Sequence, residues 1–563
     1  MREKIGTLIY LLTSFMIVSI AVMFLQHISG IAFFKNEIIY LASPYFDFRG
    51  MAKSIVFIAS YLASISLIWS CIFIRSNRLW VGTIVLLGIA VWIDLFIQIS
   101  VSARGFTKFG YAIALVNAES YENMLVFSTE IARAFIYSLF FVSILMVLRK
   151  KIKIRIALHW LIFLMGSTFA IVYGAKQWVY YIKYPSYPAI VKIPIIIADY
   201  HLNKKEEKPR LLDESVQPNH NKEISENIIW VIDESIGGKY LSVNGFEKNT
   251  TPYLESIINS NMIANYGIVN SVANCSATSN LMIRIGLSSH TKHAETDYIL
   301  TRNKLPTIYQ YAKRAGYKTW LFDSQADEGQ FQNYLTPHDM KSIDEYITLD
   351  TRTEDYERDR LLLDDIALAL ENNQGQKNFI VFVKDGAHWP YLWRYPAEKE
   401  IFRPVQGNIY EEKKVENKEK LINTYSNVVR YAVDEFFIEY MKKIDINKTV
   451  TFYTSDHGQN LLDEGANTTL THCSIDIGMP VSQGEVPLLV IGKNAAQRFP
   501  VAKDRLYSQY QIFPTTLSMM GYGKDITSDY GNTLIIGQPL SEKRWFYFGL
   551  EGSRVPFYND GIE

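Results

Sequence analysis

Five stretches within the first 175 residues are each long and apolar enough to span a bilayer. They cover roughly residues 7–34, 54–74, 80–103, 126–148 and 155–175, and a spanning helix needs about 20 mostly apolar residues. One such run is compatible with a core helix of a large soluble protein; five in succession are not. MREK precedes the first run and no small-residue cleavage pattern is present, so the run reads as a retained anchor. Basic residues orient the set. Arg2 and Lys4, then Arg75 and Arg78, then RKKIKIR (149–155) fall on one side, the cytoplasmic one. An odd number of spans carries everything after residue 175 across the membrane.

Beyond the spans the composition changes. Residues 176–200 are dense in Trp, Tyr and Pro, as expected of a segment lying at the membrane–water boundary. Residues 201–227 are polar and charged, and read as a linker. From 228 onward, short apolar runs alternate with amphipathic segments. IIWVID (228–233), KTWLFD (318–323), FIVFVKD (379–385), TVTFYT (449–454) and VPLLVI (486–491) are predicted strands, and 421–444 a helix. The predicted organisation is a transmembrane domain over 1–175, an interfacial segment and linker over 176–227, and a catalytic α/β domain over 228–563. Its central sheet is expected to be mainly parallel and covered by helices. A formal net charge of zero gives no global field for nucleic acid. Three cysteines make no disulfide framework.

Ligands of such sheets bind beyond the carboxyl ends of the strands, and those ends carry the polar residues. IIWVID runs into Asp233-Glu234-Ser235, FIVFVKD into Gly386-Ala387-His388, and TVTFYT into Ser455-Asp456-His457-Gly458, with Thr471-His472-Cys473 further on. Acidic residues at two strand ends beside an Asp-His pair suit zinc, or manganese. Such an ion would lower the pKa of a Ser or Thr hydroxyl that then attacks phosphorus. ANCSATSNLMIRIG (273–286) offers Ser276, Thr278 and Ser279 ahead of an apolar helix. Hydroxyl residues there also serve as helix caps. Asp463 and Glu464 read as solvated rather than ligating.

These motifs resemble the membrane-anchored phosphoethanolamine transferases of Gram-negative envelopes, whose catalytic domain has the alkaline phosphatase/sulfatase fold. VIDESIGGKYLSVNGFEKNTTPYL (231–254), VKDGAHWPYLWRYP (383–396), YTSDHGQNL (453–461) and THC (471–473) carry the resemblance. It implies that Glu234, Asp456, His457 and the nucleophile hold the metal, and that His388 and His472 flank the phosphoryl group. It further implies a donor, phosphatidylethanolamine, and an acceptor, lipopolysaccharide or another envelope glycan. Transfer would pass through a covalent phospho-Ser/Thr intermediate, in a monomer of the bacterial inner membrane with its catalytic domain in the periplasm. Asn117, in the loop before the fourth span, is the best match to the family's donor-lipid residues.

Gln459 departs from the family's Glu, and the few cysteines depart from the several disulfides usual in lipid A enzymes. The latter favours a core sugar, O-antigen or other glycan as acceptor. Cys275 and Cys473 are either bonded or free. No hydroxyl sits in the C/S-x-P-x-R frame of a true sulfatase. The rival readings are a phosphoglycerol transferase of the lipoteichoic acid synthase type and an inactive scaffold of the same fold. For the nucleophile, the family's spacing from the preceding cysteine, and to a following hydroxyl at Ser288, selects Ser279; residue type selects Thr278. On that register Ser276 is a cap or loop residue.

Overall fold

The computed structural model describes residues 2–28, 48–102, 128–178, 188–194, 211–219, 225–287, 305–327, 331–350, 353–408, 415–462, 471–473, 480–502, 506–537, 544–548 and 553–557, apart from positions 153, 192 and 536. They form two compact units, Met1–Glu206 and Glu207–Glu563.

Among the described residues the first unit holds five long helices, one on each apolar run: α1 (Arg2–Ile28), α2 (Phe48–Ser70), α3 (Asn77–Ser102), α4 (Ser128–Lys151) and α5 (Leu158–Trp178). Among the described residues three are long and apolar enough to cross a membrane, over Gly6–Leu25, Asn77–Phe96 and Ile131–Lys151. The α2 and α5 regions carry shorter apolar stretches, Ile58–Phe73 and Ile162–Val172. Helices α3 and α4 approach closely at Gly88, where an added Cβ would stand 3.0 Å from Val142 Cγ2. That is how small residues let apolar helices pack in lipid. Ser138 adds a hydrogen bond to the Gly88 carbonyl across the same contact (2.6 Å). At the basic end, the Arg149 guanidinium donates to the carbonyls of Ile72 and Ile74 and to Asn77.

The second unit is built on β1 (Asn227–Asp233), β2 (Ile263–Asn270), β3 (Lys318–Asp327), β4 (Glu345–Leu349), β5 (Asn378–Val383), β6 (Thr449–Ser455) and β7 (Glu485–Ile491). The sheet is mixed, in the order β2-β7-β6-β1-β5-β3-β4. Strands β6, β1, β5, β3 and β4 run parallel, and β7 and β2 are antiparallel additions at one edge. All seven residues of β1 and of β6 are buried, so both faces of these central strands are covered, as their unbroken apolar runs require. One core contains Trp230, Phe379, Phe452 and Phe513; the other contains Phe382, Tyr425, Phe436 and Tyr453.

Helices α6 (Pro252–Ile257), α7 (Ser276–Ile285), α8 (Ile308–Arg314), α9 (Asp355–Asn372), α10 (Lys418–Val429), α11 (Phe436–Lys443) and α12 (Ile512–Met519) complete the fold used below. The single helix predicted over 421–444 is interrupted by a π-helical turn, Arg430–Glu435, between α10 and α11. Widening of the turn coincides with new partners: the Ala432 carbonyl accepts from Lys384 Nζ, and Asp434 accepts the first free N–H groups of α6. π-turns often mark such functional departures from regular helix.

Candidate metal and phosphoryl-transfer site

Strands β1 and β6 are neighbours in register, Asp233 opposite Ser455, so the residues that follow them emerge side by side. Ser235 turns the chain in the left-handed region (φ 60°), and its N–H donates to Asp456 Oδ1 at 2.9 Å. The Asp456 N–H returns a bond to the Asp233 carbonyl, also 2.9 Å. These links bring Glu234, Asp456 and His457 together with donor atoms all within 4.8 Å of one another. His457 Nε2 lies 3.3 Å from Glu234 Oε1 and 3.5 Å from Asp456 Oδ2.

This donor set fits a divalent cation. His457 Nδ1 faces the Gly458 carbonyl at 2.9 Å. A carbonyl only accepts, so Nδ1 carries the proton, and the Nε2 of a neutral ring presents its lone pair to the carboxylates. Asp456 Oδ2 is buried and has no hydrogen-bond donor, an arrangement that a positive charge would satisfy. Crowding perturbs the proton affinity of all three groups. Burial raises the Asp456 pKa well above the carboxylate range, and Glu234 raises it further. Burial acts likewise on Glu234, but hydrogen bonding and charge from His457 hold it well below that range. For His457 burial works against the imidazolium, yet Asp456 and Glu234 outweigh it and lift the pKa to about 9.

Helix α7 points its first residue into this cluster. Ser276 Oγ is 3.1 Å from Glu234 Oε1 and 3.1 Å from His457 Nε2. Ser279, one turn further on, is fully buried, and its hydroxyl donates to the Asp456 carbonyl at 2.5 Å. Thr278 is also fully buried. On α7 the hydroxyl that lies against Glu234 and His457 is that of Ser276, whose position reads from sequence as a cap or loop residue, while Ser279 ties α7 to the end of β6; the Ser235 hydroxyl also donates to Glu234 Oε1, at 2.7 Å. Ser288, Asn117, Asp463 and Glu464 lie outside the described residues.

His388 and His472 are the two histidines expected to flank the phosphoryl group. His472 stacks on His457, with ring centroids 4.2 Å apart and planes at 17°. His388 is exposed, with Nδ1 2.8 Å from the Trp389 carbonyl. Arg394 donates to the His388 carbonyl at 2.6 Å and pairs with Asp385 and Asp355. Desolvation by the neighbouring groups, then the Arg394 charge, lowers the His388 pKa, while Glu234 pulls the other way. Cys275 and Cys473 are joined in a disulfide.

Sequence reasoning passed over the support beneath the cluster. Gln325, on β3, donates to Glu234 Oε2 at 3.0 Å and to the Lys384 carbonyl at 2.8 Å. Lys384 is fully buried, bonded to Asp233 Oδ2 (2.7 Å) and the Ala432 carbonyl. Tyr453 donates to the same Asp233 oxygen at 3.0 Å. Burial pushes the Asp233 pKa up to about 6 against the pull of Lys384. Gly386 (φ 46°) closes this layer: a Cβ there would collide with Asp233 Oδ1 and the main chain of Glu234. The apolar β5 followed by Lys-Asp-Gly was the available signal.

Residues 226–522, more than half of the chain, match the family model described as Sulfatase. The chain belongs to the sulfatase family. Among curated relatives it is similar to the Kdo(2)-lipid A phosphoethanolamine 7''-transferase of Salmonella typhimurium, 25% identical over 270 residues, 47% of this chain and 44% of the relative. It is also similar to the phosphatidylethanolamine transferase Mcr-1 of Escherichia coli, 26% identical over 311 residues, 54% of either chain. The chain thus spans about half the length of the curated relatives it matches. Its fold is shared with the integral membrane protein lipooligosaccharide phosphoethanolamine transferase A of Neisseria meningitidis: TM-score 0.59, 18% identity, 91% of this chain and 98% of that one.

Proposed function

We propose that the protein transfers phosphoethanolamine from phosphatidylethanolamine to lipopolysaccharide or another envelope glycan. In this reading the five helices cross the inner membrane, the N-terminus is cytoplasmic, and the second unit works as a monomer in the periplasm. The relatives' names supply the substrate class. The observation that carries the mechanism is the Ser276 hydroxyl, 3.1 Å from both Glu234 Oε1 and His457 Nε2 at the start of α7. We take Ser276, rather than Ser279 or Thr278, as the nucleophile.

Glu234, Asp456 and His457 would hold a zinc ion, which supplies positive charge that favours the alkoxide of a nearby hydroxyl and offsets phosphoryl charge. The chain's own residues do the rest. Ser276 Oγ attacks phosphorus as its proton leaves; the bond from phosphorus to the glyceryl oxygen breaks, and diacylglycerol departs with a proton. The phosphoryl group stays on Ser276 at a helix N-terminus, where the free N–H groups favour an anion. His388 and His472 flank it and move protons at its oxygens. An acceptor hydroxyl then adds to the same phosphorus and gives up its proton, the bond from phosphorus to Ser276 Oγ breaks, and Ser276 regains a proton.

Mass spectrometry of envelope glycans from cells with and without the protein tests this reading. A phosphoethanolamine-sized adduct that requires Ser276 is expected. A phosphoglycerol-sized adduct would favour the lipoteichoic acid synthase type, and no adduct would favour a scaffold.

A further inference from the structure

Two observations at the edge of the site are left unused by the transfer chemistry. Cys275 occupies the N-cap of α7, immediately before Ser276, yet its side chain makes no capping bond. Capping positions are normally filled by Ser, Thr, Asp or Asn, so helix initiation does not account for a cysteine there. Cys473 immediately follows His472 and holds a left-handed backbone (φ 58°). Few non-glycine residues adopt that region, and they persist there only when surrounding contacts fix them.

Two hydrogen bonds and the disulfide tie residues 471–473 to the segment that carries Ser276 and to the loop after His457. The Cys473 N–H donates to the Asn274 carbonyl at 2.8 Å, and the Asn460 N–H donates to the Thr471 carbonyl at 2.8 Å. The disulfide joins Cys473 to Cys275 across 198 positions of sequence. One covalent bond therefore links the residue before Ser276 to the residue after His472. The remaining cysteine, Cys71, is buried in the helical unit.

We infer that the Cys275–Cys473 disulfide is a positioning device for the transfer reaction, clamping the His472 segment to the start of α7. Reduction separates the two and slows chemistry while donor binding persists. The inference rests on the transferase reading for its kinetic consequence, though not for its structural one.

The test uses the full-length chain in detergent with phosphatidylethanolamine as donor. Tris(carboxyethyl)phosphine reduces the bond, the phosphine becoming its oxide with oxygen from water, and titratable thiols in the denatured chain rise from one, Cys71, to three. At a temperature where reduced protein keeps its far-UV spectrum and bound metal, kcat should fall about 10- to 100-fold, as expected for a misplaced catalytic group. KM for the lipid should stay within about twofold, and reoxidation should restore kcat. The Cys275→Ser/Cys473→Ser double variant should match the reduced protein and ignore the phosphine. Hydrogen–deuterium exchange should rise on reduction in peptides spanning 274–279 and 471–473. Unchanged exchange, or an undiminished kcat in a chain with three titratable thiols, overturns the clamp. If oxidised protein transfers nothing, the transferase reading fails, and the exchange measurement still decides the clamp.

Discussion

Several hydroxyl groups of the helical unit bond within their own helix, as those around the acid cluster of the α/β unit do not; Ser138, which reaches the Gly88 carbonyl, departs from this. In the helical unit Thr13, Ser19, Ser66, Thr83 and Ser143 each donate to the carbonyl four residues earlier on their own helix. Large apolar side chains such as Leu86, Ile136 and Phe163 are more than half exposed. In the α/β unit Ser235, Ser276, Ser279 and Ser455 instead bond across long sequence separations or to the acid cluster, and charged groups are sealed inside. The first pattern suits a hydrocarbon solvent, where a polar group must be satisfied within its own segment. The second suits water outside and a dry, charged interior held for chemistry.

The largest expected effect breaks the second pattern at its centre. Ser276→Ala should lower kcat by about 10³-fold or more, whereas Ser279→Ala, which loses one hydrogen bond to the Asp456 carbonyl, should retain most activity and lose about 1 kcal/mol of stability. Parallel transfer assays and thermal melts of the full chain separate the two. Lys384→Met leaves Asp233 buried without its cation and should cost about 3–5 kcal/mol, read as a lower melting temperature. The first pattern is probed by Leu86→Arg, on the exposed face of α3: about 3 kcal/mol against insertion is expected if that face meets lipid. The check is the fraction resisting alkaline extraction from membranes, and full resistance would remove the contrast.

The last effect is a slope with pH. Burial pushes the Asp385 pKa up to about 7, with Arg394 pulling it down. Between the ordinary carboxylate range and pH 7 the folded chain keeps a proton that the unfolded chain has released, so this group makes stability fall as pH rises. Asp385→Asn removes that slope, at most about 1.4 kcal/mol per pH unit. Melting curves from pH 4 to 8 should be flatter in the variant.

The five helices of the first unit were legible as apolar runs, three of which have the length and composition that hydrocarbon imposes on a spanning segment. The central strands β1, β3, β5, β6 and β7 were legible because burial on both faces leaves nearly unbroken apolar runs. Strand β2, IANYGIVN, mixes buried with half-buried positions and carries two asparagines at the sheet edge, so no such run announces it. That Glu234, Asp456 and His457 cluster was legible because they come within two residues of the ends of β1 and β6. Which hydroxyl of α7 meets that cluster was less legible. Positions 276 and 279 lie about 60° apart around a helix and one turn apart along it, so sequence register cannot say which meets the cluster. That depends on where the ends of β1 and β6 converge on α7. Gln325 and Lys384 escaped notice because their roles exist only through partners on other strands.

The central claim is that phosphorus passes through Ser276. The full-length protein, incubated with phosphatidylethanolamine without a glycan acceptor and quenched in acid, should yield a phosphoethanolamine adduct on the peptide containing residues 273–286. Fragmentation should place it on Ser276, in wild type and in Ser279→Ala alike. An adduct on Ser279 or Thr278, or one that survives in Ser276→Ala, would contradict the account.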